Sequence, residues 1–257
     1  MPRPRAPRRT APAPRSRGDR GAASRGLVVL AALIILGLVG YYGTDEDRVA
    51  DLLDLFGAAD STATAQSGDP AADAADAPAA RERLAGLTVI EPSGWPDYDR
   101  DAFSGGDWAD PDGNGCDARN DILARDLTET ETDADCRVLR GTLDDPYTGR
   151  TIEFSRDQAN AVQIDHIYPI ATAWRMGAHA WDDDRRAEFY NDPANLLAVD
   201  GPANSAKGDS GPAEWRPDDS AFHCRYAILY IDVAHGYDLP VTQAEHNALS
   251  TLLDACG

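Results

Sequence analysis

From Leu84 to the C-terminus, short apolar runs alternate with clusters of turn residues, and most runs carry a readable period. Ile122, Leu123 and Leu127 recur at helical spacing and predict a helix over 117–127. The runs 137–143 and 151–154 read as strands of a β-hairpin joined by Asp144-Asp145-Pro146-Tyr147-Thr148-Gly149. Gln163-Ile164-Asp165-His166-Ile167-Tyr168-Pro169 is a short strand cut off by proline, and Leu196 to Val199 is a second one. A Gly201-Pro202 turn and a short polar helix follow it. Asp182, Asp183 and Asp184 open another helix reaching Tyr190, because acids favour a helix N-terminus. Residues 221–234 form a longer apolar helix. Thr242 and Glu245 make a capping box for the last one, with Leu249, Leu252 and Leu253 on one face. The pattern is α+β without internal repeats, and some 170 residues suffice for one core.

Composition separates this body from the chain's beginning. Residues 1–26 hold eight Arg and one Asp and read as a cytoplasmic head. Gly26 to Gly43 carries no charge; as a helix its 18 residues span about 27 Å, close to the roughly 30 Å of a bilayer's hydrocarbon core. Residues 27–43 are therefore expected to be a transmembrane anchor, with Tyr41 and Tyr42 at the outer interface; a cleaved signal segment is the competing reading. Residues 44–85 are acidic, poor in aromatics and expected to be a flexible linker, leaving 86–257 as the folded domain. Either reading puts that domain outside the cell.

Cysteine usage agrees. Cys116, Cys136, Cys224 and Cys256 include no Cys-x-x-Cys pair, so two disulfides are expected rather than a zinc knot. Four cysteines allow three pairings; the sequence-local one, Cys116–Cys136 with Cys224–Cys256, is favoured. Each bridge is worth about 3 kcal/mol. From Leu84 onward 13 basic residues face 33 acidic ones, which excludes a tight, counterion-driven binder of nucleic acid but not a transient substrate complex. No protein partner is indicated.

The candidate chemistry lies around the two strands. Asp165 offers a carboxylate to a hard cation, and neutral His166 suits proton abstraction from water. The proline after Tyr168 places both at an exposed strand end. Asn204 adds an amide oxygen for one divalent ion, Mg²⁺ or Mn²⁺, and Lys207, three residues on along the helix, would hold a phosphate oxygen. Asn195 either braces the loop presenting His166 or forms an ordinary Asx turn. Arg119 is a phosphate contact or a partner for a neighbouring acid. Asp110, Asp112, Asn114 and Asp121 resemble part of a calcium loop, with a solvated turn as the alternative. Asp209 and Glu214 are supporting groups or plain loop acids. His179, His223, His235 and His246 show no metal spacing.

These motifs, with Ala173-Trp174, Asn191-Asp192-Pro193-Ala194-Asn195, Asn204-x-x-Lys207-Gly208-Asp209 and Pro212-Ala213-Glu214-Trp215, resemble the exported actinobacterial HNH endonucleases, relatives of the C-terminal domain of GmrSD-type restriction endonucleases. Asn114-Gly115-Cys116-Asp117-x-Arg119-Asn120-Asp121 and Gly141-Thr142-Leu143-x-Asp145-Pro146-Tyr147 extend the likeness upstream, and it covers residues 87–256. It implies a ββα-metal finger core with added helices and a hairpin. His166 would be the general base, Asp165 and Asn204 the metal ligands, Asn195 a support for the base and Lys207 a phosphate contact. Asn204 stands where the signature often has His, which bears on metal preference. The expected activity is metal-dependent cleavage of nucleic acid, DNA before RNA, with little sequence preference. The alternative is a non-catalytic, calcium-binding surface module on the same scaffold.

Overall fold

The computed structural model describes residues 69–91, 97–104 and 107–257. The basic head, the expected membrane segment 27–43 and the linker as far as residue 68 lie outside the described residues. Among the described residues no helix is long and apolar enough to cross a membrane.

Helix α1 (Pro70–Gly86) corrects the linker expectation over its last part. Asp69 caps it by accepting from the Ala71 N–H, a proline occupies its first turn, and Ala77, Ala80 and Leu84 are buried. Alanine is both the best helix former and small enough for close helix packing, so a run too weakly hydrophobic to suggest a core joins one nonetheless. Helix α2 (Asp101–Ser104) and α3 (Ala118–Asp126) follow; Asp117 caps α3 through the Asn120 N–H. Strands β1 (Thr128–Thr132), β2 (Val138–Asp144) and β3 (Thr151–Ser155) form an antiparallel sheet in sequence order. The β2–β3 hairpin is the expected one. Strand β1, Thr-Glu-Thr-Glu-Thr, is exposed throughout and offers no apolar alternation by which to predict it.

Strand β4 (Val162–His166) pairs antiparallel with β5 (Leu196–Asp200), placing Asp165 opposite Leu197 and His166 opposite Leu196. Helices α4 (Ile170–Arg175) and α5 (Asp183–Asn191) are inserted between these strands, and α6 (Gly201–Lys207) leaves β5 at once. Asp200 caps α6 through the Ala203 N–H. A side chain at Gly201 would collide with the Asn160 carbonyl, so the strand-to-helix corner requires glycine.

The β4–β5 pair is buried on both faces, which is why it reads as an apolar run rather than an alternation. One face gives Val162, Ile164, Leu196 and Ala198 to a core with Ile122 and Leu123 of α3 and Val138, Leu143 and Phe154 of the hairpin. The other gives Leu197 and Val199 to a larger core with helices α1, α7 (His223–Gly236) and α8 (Gln243–Leu253). Burying each such side chain stabilises the fold by about 1.5–3 kcal/mol. Disulfides join Cys116 to Cys136 and Cys224 to Cys256. The first ties the segment before α3 to the segment before β2; the second staples α7 to the C-terminal turn after α8. Thr242 and Glu245 form the capping box of α8.

Candidate active site

His166 ends β4. Its Nε2 lies 2.8 Å from the Tyr190 carbonyl oxygen in the last turn of α5, where helix carbonyls lack intrahelical partners. A carbonyl only accepts, so Nε2 carries the proton and Nδ1 is left as the basic nitrogen. The ring is also held from its faces. Trp108 stacks parallel to it at 5.8 Å between centroids, and Tyr190 packs at 4.8 Å. The Trp108 segment is itself fixed, because the Ala109 N–H donates to Asn191 Oδ1 at 2.9 Å.

The strand end is not exposed as the proline suggested: Asp165 and His166 are 5% and 6% accessible. Proline does stop the strand, but α4 starts immediately after it and Trp108 and Tyr190 cover the imidazole. Burial pushes the His166 pKa from 6.5 down to about 3; the nearby cations Arg100 and Lys207 act the same way, and the Tyr190 hydrogen bond opposes them. The imidazole is therefore neutral at physiological pH.

Asn195 is wholly buried. Its Oδ1 accepts from the Tyr168 N–H at 2.8 Å, its Nδ2 donates to the Tyr168 carbonyl at 3.4 Å, and its own carbonyl accepts from the Ile167 N–H at 2.9 Å. These bonds hold the two residues that follow His166. The Asx turn belongs instead to Asp192, which accepts from the Ala194 N–H.

Lys207 is the sole lysine in the sequence and its side chain is inaccessible. Its ammonium bonds both Asp165 oxygens, at 3.0 and 2.8 Å, and the His166 carbonyl at 2.8 Å. It faces away from solvent, so the expected phosphate contact is corrected. A buried carboxylate needs a counter-charge, and this lysine provides it. Burial pulls the Lys207 pKa down while Asp165 pushes it back up. Tyr147, from the hairpin turn, donates to Asp165 Oδ2 at 2.5 Å. Burial and then the Asp165 charge raise its phenol pKa well above the ordinary value, so it remains a donor. Two positions earlier, Asp145 accepts from the Asp200 N–H at 2.8 Å and locks that turn against the β5–α6 corner.

In front of β4 opens a cleft of about 540 Å³, lined by Asp165, His166, Gln163, Asn204 and three arginines, Arg100, Arg119 and Arg175. Asp165, His166, Asn204 and Arg119 thus meet at one surface, while Asn195 and Lys207 support it from behind. Arg100 sits over the Tyr190 ring and Arg175 pairs with Asp209. Arg119 forms no ion pair among the described residues; burial and Arg156 lower its pKa, and Asp117 counteracts them. Tyr147, Trp108, Tyr190, Arg100 and Arg175 had no role in the sequence reading. Isolated aromatics and arginines have no period, and only the Asp145-Pro146-Tyr147 motif pointed to any of them.

The donor set can be tested for a divalent ion. Asn204 Nδ2 donates to Gln163 Oε1 at 2.9 Å, which turns its carbonyl oxygen into a free acceptor. The Asp165 carboxylate has about four lone-pair directions and accepts two hydrogen bonds, one at each oxygen, beside its ion pair with Lys207, so it can still face a cation. Two protein oxygens fit Mg²⁺ or Mn²⁺, which keep several waters and draw further ligands from substrate phosphate. The acidic loop is different. The Asn114 N–H donates to Asp110 and Asp112, the Gly115 N–H to Asp110, and the Asn114 amide to Asp112 and Asp121. Its oxygens serve the turn itself. Among the described residues no group of three or more His, Cys, Asp or Glu is placed to hold a metal ion.

The family model for GmrSD restriction endonucleases, C-terminal domain, matches residues 117–252, from the α3 cap to the last helix. A protein of Arthroderma benhamiae described as an uncharacterized secreted protein is 39% identical over 180 residues, covering 69% of this chain and 84% of that relative. No solved structure matches. This chain belongs to the family of the GmrSD restriction endonuclease C-terminal domain.

Proposed function

We propose that the protein is an endonuclease that hydrolyses phosphodiester bonds outside the cell, DNA before RNA and with little sequence preference, on an HNH-type ββα core formed by β4, β5 and α6. The observation that carries this reading is the fixed tautomer of His166 at the wall of a cleft that also holds three arginines. The endonuclease family supports it, and the secreted relative and the two disulfides support an extracellular location. The basic N-terminal head and the apolar run 27–43 then serve as membrane anchor or export signal.

In this mechanism His166 Nδ1 takes a proton from a water molecule whose oxygen attacks phosphorus, and the bond to the leaving 3′-oxygen breaks. The resulting imidazolium keeps its Nε2–H on the Tyr190 carbonyl. Arg119 holds a non-bridging phosphate oxygen, with Arg100 and Arg175 alongside. Asn195 and Lys207 keep the His166 backbone and the Asp165 carboxylate in place. A divalent ion on Asp165 and Asn204 would stabilise the charge that develops on phosphate and leaving group.

The test is nicking of supercoiled plasmid by the full-length chain with Mg²⁺ or Mn²⁺, with and without EDTA. His166→Ala should lose about 10²- to 10⁴-fold in rate. Undiminished cleavage by His166→Ala would remove the imidazole from the mechanism. Absence of cleavage of both plasmid and single-stranded DNA with either metal would leave a surface module on an endonuclease scaffold.

A further inference from the structure

The cleft has one aromatic wall that the mechanism does not use. Tyr98 is 43% accessible, the single aromatic among the exposed large hydrophobic side chains of the described residues, and it lines the same cleft as His166. Its position is built. Trp174 meets it edge-on at 6.2 Å and 73°, Phe103 packs behind Trp174 at 5.9 Å, and Arg100 hydrogen-bonds its phenol oxygen. An exposed ring propped on its edge, in a cleft also lined by Arg100 and Arg175, is built as a stacking platform for a nucleobase.

Two further features select the form of the nucleic acid. The reactive imidazole is 6% accessible, so a scissile phosphate has to descend into the cleft to reach it. A duplex is stiff, with a persistence length of about 50 nm, and keeps its bases stacked inside where Tyr98 cannot touch them. The body is also strongly acidic, with 33 acidic against 13 basic residues from Leu84 onward. A duplex carries one charge per roughly 1.7 Å of axis against one per roughly 3.4 Å for each strand, so it suffers the greater repulsion.

Resting on the hydrolase reading, we propose that the cleft takes single-stranded nucleic acid, with Tyr98 stacking the base next to the scissile phosphate and Arg100 and Arg175 holding the backbone on either side. The experiment uses the full-length protein with a fluorescein-labelled single-stranded oligodeoxynucleotide and the same strand annealed to its complement. Cleavage of the single strand should be at least about tenfold faster. Tyr98→Ala should raise KM for it by about tenfold with kcat unchanged, while Tyr98→Trp keeps KM near the wild-type value. Equal cleavage of duplex and single strand, or a Tyr98→Ala variant with unaltered KM, overturns the platform and leaves the hydrolase intact. Anisotropy with His166→Ala reads binding apart from chemistry. Preferential single-strand binding that Tyr98→Ala abolishes upholds the platform even where cleavage fails; equal binding of both forms overturns it.

Discussion

The two sides of the β4 terminus handle charge in opposite ways. Behind the strand, the buried Lys207 is bonded to the Asp165 carboxylate and the His166 carbonyl, and Tyr147 donates to the same carboxylate. In front, Arg119 stands without an ion-pair partner among the described residues, on an open cleft it shares with Arg100 and Arg175. Buried charges have to be matched within the protein, because isolating one costs several kcal/mol. Cations on a wet surface can wait for a ligand. The chemistry of a charge, acid or base, does not tell a positioning group from a binding group; access to water does.

The largest effect should come from breaking the interior pair. Lys207→Met leaves Asp165 buried without its counter-charge and should cost about 3–5 kcal/mol in urea unfolding. The double variant Asp165→Asn with Lys207→Met should recover a good part of that loss. If Lys207→Met is as stable as the wild type, the lysine is not paired inside and belongs with the cleft cations after all.

The disulfides sharpen the contrast. Replacing either pair by serine should cost about 3 kcal/mol. Only loss of Cys116–Cys136 should also raise KM, since that bridge anchors the helix carrying Arg119. An equal KM change on loss of Cys224–Cys256, which lies in the helical core, would erase the distinction.

A smaller effect comes with pH. The folded-state pKa of His166 is depressed to about 3 from 6.5, so between these values the unfolded chain binds a proton that the folded chain refuses. The stabilisation is complete above pH 6.5 and is lost as pH falls toward 3, at roughly 1.4 kcal/mol per pH unit. Unfolding of the wild type and His166→Asn at pH 4.5, 5.5 and 6.5 isolates this slope as the difference between the two chains. Parallel curves would mean that the imidazole is solvated when folded.

The smallest effect concerns the cleft itself. Arg119→Ala should leave stability unchanged and reduce the slope of log KM against log salt by about one. An unchanged slope would take Arg119 out of phosphate contact.

Much of the architecture was legible from pattern alone. The β2–β3 hairpin, the α3 and α5 helices, the long α7 and the capping box of α8 all follow from period and caps. So does the favoured disulfide pairing, because bridges local in sequence suit neighbouring elements. Helix α1 was hidden by its alanines, which lower hydrophobicity to that of a linker while raising helix propensity. Strand β1 was hidden by its fully polar sequence. Around the site, Asp165, His166 and Asn204 could be singled out, since motif and spacing concern residues near each other in the chain. Trp108 and Tyr190 could not, and Tyr147 stood only in a motif with no role attached, for each reaches His166 or Asp165 only once distant segments have packed together.

By itself, then, the sequence determined which residues have chemistry to offer, where the elements begin and end, and which family the chain resembles. Tertiary structure alone decided which way each side chain faces: Lys207 inward onto Asp165, Arg119 outward onto the cleft, His166 between two aromatic rings. The reason is physical. Backbone preference and hydrophobic period are local, whereas solvent access, and with it the charge a group can carry, depends on every segment that comes to lie over it.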